Sequence, residues 1–109
     1  MDMMQCKAKR NNMIEVIEKL PGKAARIRMI DNTLKAFQDF VGGYIEEVTL
    51  PDGVVMICNE EGKWMGLEPN ITITRDVIVG PVLFCGAAGE EFTDVPVSID
   101  QLVMMLNWM

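Results

Sequence analysis

The 109-residue sequence predicts an α+β fold: a mostly antiparallel sheet of about five to six strands, with two helices packed on one face, in the order β-β-α-β-β-β-β-α. Three observations carry this prediction. Short apolar or alternating runs recur along the chain, separated by turn signals at Pro21-Gly22, Pro51-Asp52-Gly53 and Asn59-Glu60-Glu61-Gly62. Two other segments have a helical apolar stripe preceded by a capping residue. The turn-linked runs follow one another closely, as hairpins do, so the pairing is expected to be antiparallel.

Residues 1–12 show no periodicity and are expected to form a flexible polar tail; 13–109 are expected to form a single domain. Ile14, Val16 and Ile17 begin a strand. Arg26-Ile27-Arg28-Met29 alternates polar and apolar, which completes an opening hairpin over 13–30. Asp31 and Asn32 offer a helix N-cap, and Leu34, Phe37, Phe40 and Val41 follow on one helical face. Gly42-Gly43 stops that helix, which is placed at about 32–41.

Tyr44 to Leu50 reads as a strand, and the uninterrupted apolar run Val54 to Cys58 reads as a central one. Ile71 to Thr74 alternates, as a strand with one wet face does. Val77-Ile78-Val79 and Val82 to Cys85 are expected to form one buried strand, bent at Gly80-Pro81. Ser98 and Gln101 fit a capping box with Val97 and Leu102 as the hydrophobic staple, so a terminal helix is expected from Ile99 to about Trp108.

Half of the residues are hydrophobic, enough for a core without a metal or a disulfide. The longest near-apolar stretch, Val77 to Gly89, is broken by glycine and proline and falls short of the roughly 20 residues a spanning helix needs. No apolar leader with a cleavage site follows the early basic residues, so a cytoplasmic protein is expected. Cys6, Cys58 and Cys85 form no paired motif and are expected as free thiols, the last two packing as small hydrophobes. Net charge is −6 and unevenly spread. Residues 1–35 hold eight basic and four acidic side chains, whereas 36–109 hold two basic and twelve acidic ones. Such asymmetry steers a partner or sets up head-to-tail association; its plainer meaning is an acidic surface that keeps the protein soluble.

The chain has no histidine, which excludes His-based acid–base chemistry, His-activated nucleophiles and His-ligated metals. Its only serine, Ser98, already serves as a cap. Neither a phosphate loop nor a calcium loop is present, and the cysteine spacing suits no zinc site. No catalytic, cofactor-binding or metal-ligating residue is assigned, and no enzyme is expected. Among carboxylates, Glu46 alternates with Tyr44 and Val48, which places it either beside an apolar face or on an exposed edge; Tyr44 and Glu46 are therefore candidates for a ligand pocket. Lys7, Lys9, Arg10, Lys23, Arg26 and Arg28 cluster early, but no aromatic residues are interleaved, so direct nucleic-acid binding is not expected. Glu15 is the expected partner of Arg26 and Arg28 across the hairpin.

Protein contact is the better-supported use of this surface. Glu60 and Glu61 sit in a turn, and Trp64 follows it as a candidate anchor. The last helix holds more apolar residues than one face uses, and Met105 and Trp108 are candidates for a second contact. In the plainer alternative, Trp64 closes one end of the core and the methionines fill gaps.

Several blocks carry a resemblance: Ile30-Asp31-Asn32-Thr33-Leu34, Val41-Gly42-Gly43-Tyr44-Ile45-Glu46, Leu50-Pro51-Asp52-Gly53 and Ile57-Cys58-Asn59-Glu60-Glu61-Gly62-Lys63, with Val79-Gly80-Pro81 and Phe92-Thr93 after them. Together they resemble the bacterial and phage family catalogued as domain of unknown function 3846, over roughly 13–109. The resemblance implies a phage, plasmid or other mobile-element origin in Gram-positive bacteria and supplies no catalytic residues. Family members carry an Asn-Arg pair and a longer acidic insertion between Pro69 and Val79, where this chain has Asn70-Ile71.

The expected function is accordingly that of a small acidic accessory protein, binding a basic surface on a host protein and inhibiting a nucleic-acid-handling or defence enzyme. One alternative is a small-molecule or nucleotide binder, with Tyr44, Glu46 and Trp64 around a concave site between the sheet and the terminal helix. The other is self-assembly through the C-terminal helix.

Overall fold

The computed structural model describes residues 12–109. The expected tail, Asn12 apart, and Cys6 with it, lie outside the described residues. Among the described residues, eight strands and two α-helices run in the order β1 (Met13–Lys19), β2 (Arg26–Asp31), α1 (Leu34–Val41), β3 (Ile45–Thr49), β4 (Val55–Asn59), β5 (Pro69–Ile73), β6 (Asp76–Val79), β7 (Val82–Ala88), β8 (Glu91–Thr93) and α2 (Ile99–Asn107). Five strands form an antiparallel path β2-β1-β7-β4-β3, β8 adds to the far end of β7, and β5 with β6 makes a separate hairpin. The α+β class and the antiparallel sheet are those the sequence predicts.

The helices depart from expectation: they cover opposite faces of the sheet. Phe37 and Val41 of α1 pack with Ile14, Val16, Ile57 and Leu83. Leu102 of α2 packs with Ile17, Met56, Val82 and Phe84, together with Ile73 from the β5–β6 hairpin. The reason lies in the central strands. Val82 to Cys85 and Val55 to Cys58 are buried residue after residue, so both faces of the sheet are apolar and both need a cover.

The expected bent strand over 77–85 is two strands in different sheets. Gly80 adopts φ +79°, and its N–H donates to the Glu68 carbonyl at 2.8 Å. A Cβ at Gly80 would stand 2.7 Å from Leu67 Cδ1, so both space and dihedral call for glycine there. Pro81 then carries the chain into β7. Strand β8, absent from the expected order, is only three residues long, too short to show a period. It is held by Asn32 Nδ2 donating to the Phe92 carbonyl at 2.8 Å and by an edge-to-face contact of Phe92 with Phe37, centroids 5.1 Å apart.

Asn32 therefore does not cap α1. Thr33 does, accepting from the Ala36 N–H at 3.1 Å, and Gly42 ends the helix at φ +83°. Leu34 on that helix is 58% exposed rather than part of the buried stripe. At the other end of the chain, α2 starts as expected: Ser98 and Gln101 form the reciprocal capping box.

Candidate functional site

Strand β3 is an edge of the sheet and carries Glu46 and Glu47, with the Glu60–Glu61 turn following its partner strand β4. Its register against β4 sets Glu46 opposite Cys58 and Glu47 opposite Ile57. Successive side chains point to opposite faces, so Glu46 lies on the α2 side and Glu47 on the α1 side. Strand β4 ends in Asn59, which with Glu18 is one of two buried polar or charged residues among the described residues. Its Nδ2 donates to the Val41 carbonyl at 3.0 Å, and its Oδ1 accepts from the Glu61 N–H at 2.7 Å. Glu60 N–H also bonds the Tyr44 carbonyl at 2.9 Å. The acidic turn is thus fastened to the end of α1 and to β3.

On the α2 side of the sheet, a groove of about 400 Å³ opens between β3–β4 and the β5–β6 hairpin. Val48, Met56, Cys58, Ile73 and Ile78 give it an apolar interior, and Glu46, Glu60, Lys63, Trp64 and Asp76 stand around it. Lys63 Nζ is committed to Asp76 Oδ1 at 2.7 Å. Trp64 is 93% exposed. On the α1 side, Glu47, Glu90 and Glu91 border one shallow hollow with Leu34 and Phe92. The β3 edge therefore carries carboxylates on both faces.

Among the described residues, the side-chain ion pairs are Arg26–Glu18, Arg28–Glu18, Lys35–Asp39 and Lys63–Asp76. Four cations are engaged in this way, and Lys19 bonds the Leu20 carbonyl and Asn70 Oδ1. Glu46, Glu47, Glu60, Glu61, Glu90 and Glu91 enter none of these pairs. At the floor of the groove, burial first, then the Glu46 and Asp76 carboxylates, push the Cys58 thiol up to about 11. Burial, with Glu47 behind it, pushes the Cys85 thiol up to about 12. Both thiols are buried and act as packing groups, as the sequence predicts.

The candidate residues do not form one site. Glu46, Glu60 and Trp64 share the groove. Tyr44, mostly exposed, lies instead with Glu61 and Met65 in a hollow beside the C-terminus of α1. The concave site is thus bounded by the β5–β6 hairpin, not by the terminal helix, and Tyr44 is not in it. Glu46 is exposed, on an edge strand. Met105 and Trp108 lie at the other end, in a hollow with Pro51, Pro96 and Met104. Trp108 is 87% exposed, whereas Met105 is half-buried and packs against the core.

Three polar residues of consequence escaped sequence reasoning. Glu18, not Glu15, receives both arginines, through Arg26 Nε at 2.6 Å and Arg28 Nη1 at 2.8 Å. Glu18 stands directly opposite Arg26, while Glu15 faces Met29, and the Glu15 N–H bonds Asp94 Oδ1. Only the hairpin register decides between them. Asn70 donates to the carbonyls of Lys19 and Gly80, tying the β5–β6 hairpin to the sheet. Asn59 reads as a turn residue until α1 is placed beside it. Among the described residues there is no group of three or more acidic or cysteine side chains able to hold a metal, and no helix is long and apolar enough to cross a membrane.

Comparison with protein families matches residues 14–107 to a model described as "Domain of unknown function (DUF3846)". No curated protein and no solved structure matches the chain.

Proposed function

The chain belongs to the family of the domain of unknown function DUF3846, and from that premise and the geometry above we propose that it is a non-enzymatic interaction module whose acidic β3 edge docks on a cationic surface of another protein. One observation carries this reading: Glu46, Glu47, Glu60, Glu61, Glu90 and Glu91 flank one sheet edge on both faces and stand outside every ion pair among the described residues. A surface of one sign speeds encounter with the opposite sign and selects against wrong partners. The asparagine bonds beneath the turn support it further, because they hold Glu60 and Glu61 in a set geometry rather than on a loose loop. In this proposal the protein is a cytoplasmic accessory of a phage or other mobile element, and its target is a host nucleic-acid-handling or defence enzyme whose cationic channel it occupies.

The test is capture from nuclease-treated host lysate on the immobilised full chain, at low and high salt, beside the Glu60→Lys/Glu61→Lys variant. The expected outcome is one host protein retained in stoichiometric amount by the wild type, released by salt and lost with the variant. Equal retention by the variant, or no retained protein, would remove the acidic edge as the contact.

A further inference from the structure

The groove between β3–β4 and the β5–β6 hairpin combines two features. Its interior is apolar, formed by Val48, Met56, Ile73 and Ile78, yet Glu46 and Glu60 stand at its rim. The β3–β4 register puts Glu46 opposite Cys58, and Glu60 follows the end of β4, so that both carboxylates line this groove. Neither meets a cation among the described residues: Lys63 is held by Asp76, and Arg75, at the hairpin tip, does not line the groove.

The wall opposite is built at a cost. Thr74 and Arg75 turn the hairpin at φ +51° and +67°, which a β-branched and a long side chain rarely adopt. Asn70 clamps the base of that hairpin to β1. The hairpin is thereby tied to the sheet beside the groove, with the Trp64 indole exposed at the mouth.

Each neutral or anionic occupant conflicts with part of this. A phosphate would meet two uncompensated carboxylates, and an uncharged apolar group would desolvate them without a partner. The occupant that satisfies every part has an apolar stem and a cationic head. Resting on the interaction reading above, we propose that this groove receives an arginine side chain of the protein partner. Its methylenes lie along the apolar interior and its guanidinium binds at the Glu46–Glu60 rim beside the Trp64 ring. Arginine is chosen over lysine for its planar head, which pairs with carboxylates through two parallel bonds and stacks on an aromatic face. The rise of the Cys58 thiol, in part through Glu46 and Asp76, agrees with a negative potential inside the groove.

The experiment is an amide NMR titration of the full chain with N-acetyl-arginine methylamide, its lysine counterpart, and the neutral isostere N-acetyl-citrulline methylamide. The arginine probe is expected to give saturable shifts at the Trp64 indole N–H and at the Thr74 and Ile78 amides, with a dissociation constant on the order of millimolar for so small a probe. Citrulline should give none, and lysine should bind more weakly. Glu46→Gln/Glu60→Gln should weaken the arginine response about tenfold, the loss expected when two charged acceptors become neutral. Absence of saturable shifts, an equal response to citrulline, or an unchanged response in the double variant overturns the site. An equal response to lysine overturns its assignment to arginine. The two readings fail separately. A silent groove alongside host-protein capture that depends on Glu60 and Glu61 removes only this inference. A responsive groove alongside capture indifferent to charge reversal removes the acidic-edge reading.

Discussion

The two edge strands of the main sheet both carry charge, and they use it in opposite ways. On β2, Arg26 and Arg28 converge on Glu18, which is 2% exposed, and the Arg28 guanidinium also lies 5.3 Å from the centre of the Phe40 ring. That charge is internally compensated. On β3, Glu46 and Glu47 have no such partner among the described residues, and the acidic turn beyond β4 adds Glu60 and Glu61 on the same side of the molecule. Charged edge strands resist edge-to-edge aggregation in either arrangement. The comparison teaches that charge at an edge is not one property. A carboxylate buried between two guanidiniums belongs to the fold, whereas a row of solvated carboxylates adds little to stability and is available to a partner.

The largest break in this comparison should come from β2. Glu18→Ala removes two charge-assisted hydrogen bonds and leaves both arginines without their acceptor. Because the arginines are partly exposed and re-solvate, the expected loss is about 2 kcal/mol in urea unfolding. A loss below about 0.5 kcal/mol would mean that the pair is ornamental and that the two edges are alike.

The same pair should respond to acid. Burial raises the Glu18 carboxyl, but its hydrogen bonds to Arg26 and Arg28 outweigh that and hold it below its ordinary value of 4.5. A carboxyl depressed in the folded state contributes stability that is present above its unfolded pKa and lost as pH falls through the folded one. The stability difference between wild type and Glu18→Gln should therefore be constant from neutral pH down to about 5 and should close below about 4.5. A difference that stays constant well below pH 4 would show that the pair's contribution is not electrostatic.

The smallest effect is expected on β3. Glu46→Gln/Glu47→Gln should change unfolding stability by less than about 0.5 kcal/mol, in either direction. A loss as large as that of Glu18→Ala would show the β3 carboxylates to be structural and would undercut their use as a binding edge.

Much of the fold was legible because its signals are local. The Ser98–Gln101 box, the Gly42 stop and the unbroken run Val55 to Cys58 each act within a few residues, and each appears where the sequence predicts it. Trp64 was legible only as one of two alternatives, an exposed anchor or a residue closing one end of the core, and its exposure in the structure decides for the first. Misplaced features are those that depend on distant chain. Glu18 rather than Glu15 meets Arg26 and Arg28 because the hairpin register, not the sequence pattern, decides which carboxylate stands opposite them. Asn59 reads as a turn residue until the Val41 carbonyl, eighteen positions earlier, is brought to it.

The sequence by itself determined the α+β class, the antiparallel pairing, both helices and the acidic character of the later two thirds of the chain. Those follow from hydrophobic period, capping chemistry and charge count, which need no partner in space. Only the tertiary structure decided that the helices cover opposite faces, that Gly80 divides β6 from β7, and that Glu46 and Glu60 share a groove with Trp64 while Tyr44 does not. A strand's period of two shows which residues share a face, but which element covers that face depends on distant chain: burial of both faces of β4 and β7 calls for a helix on each, Leu67 crowds Gly80, and the end of α1 takes Tyr44 away from the groove.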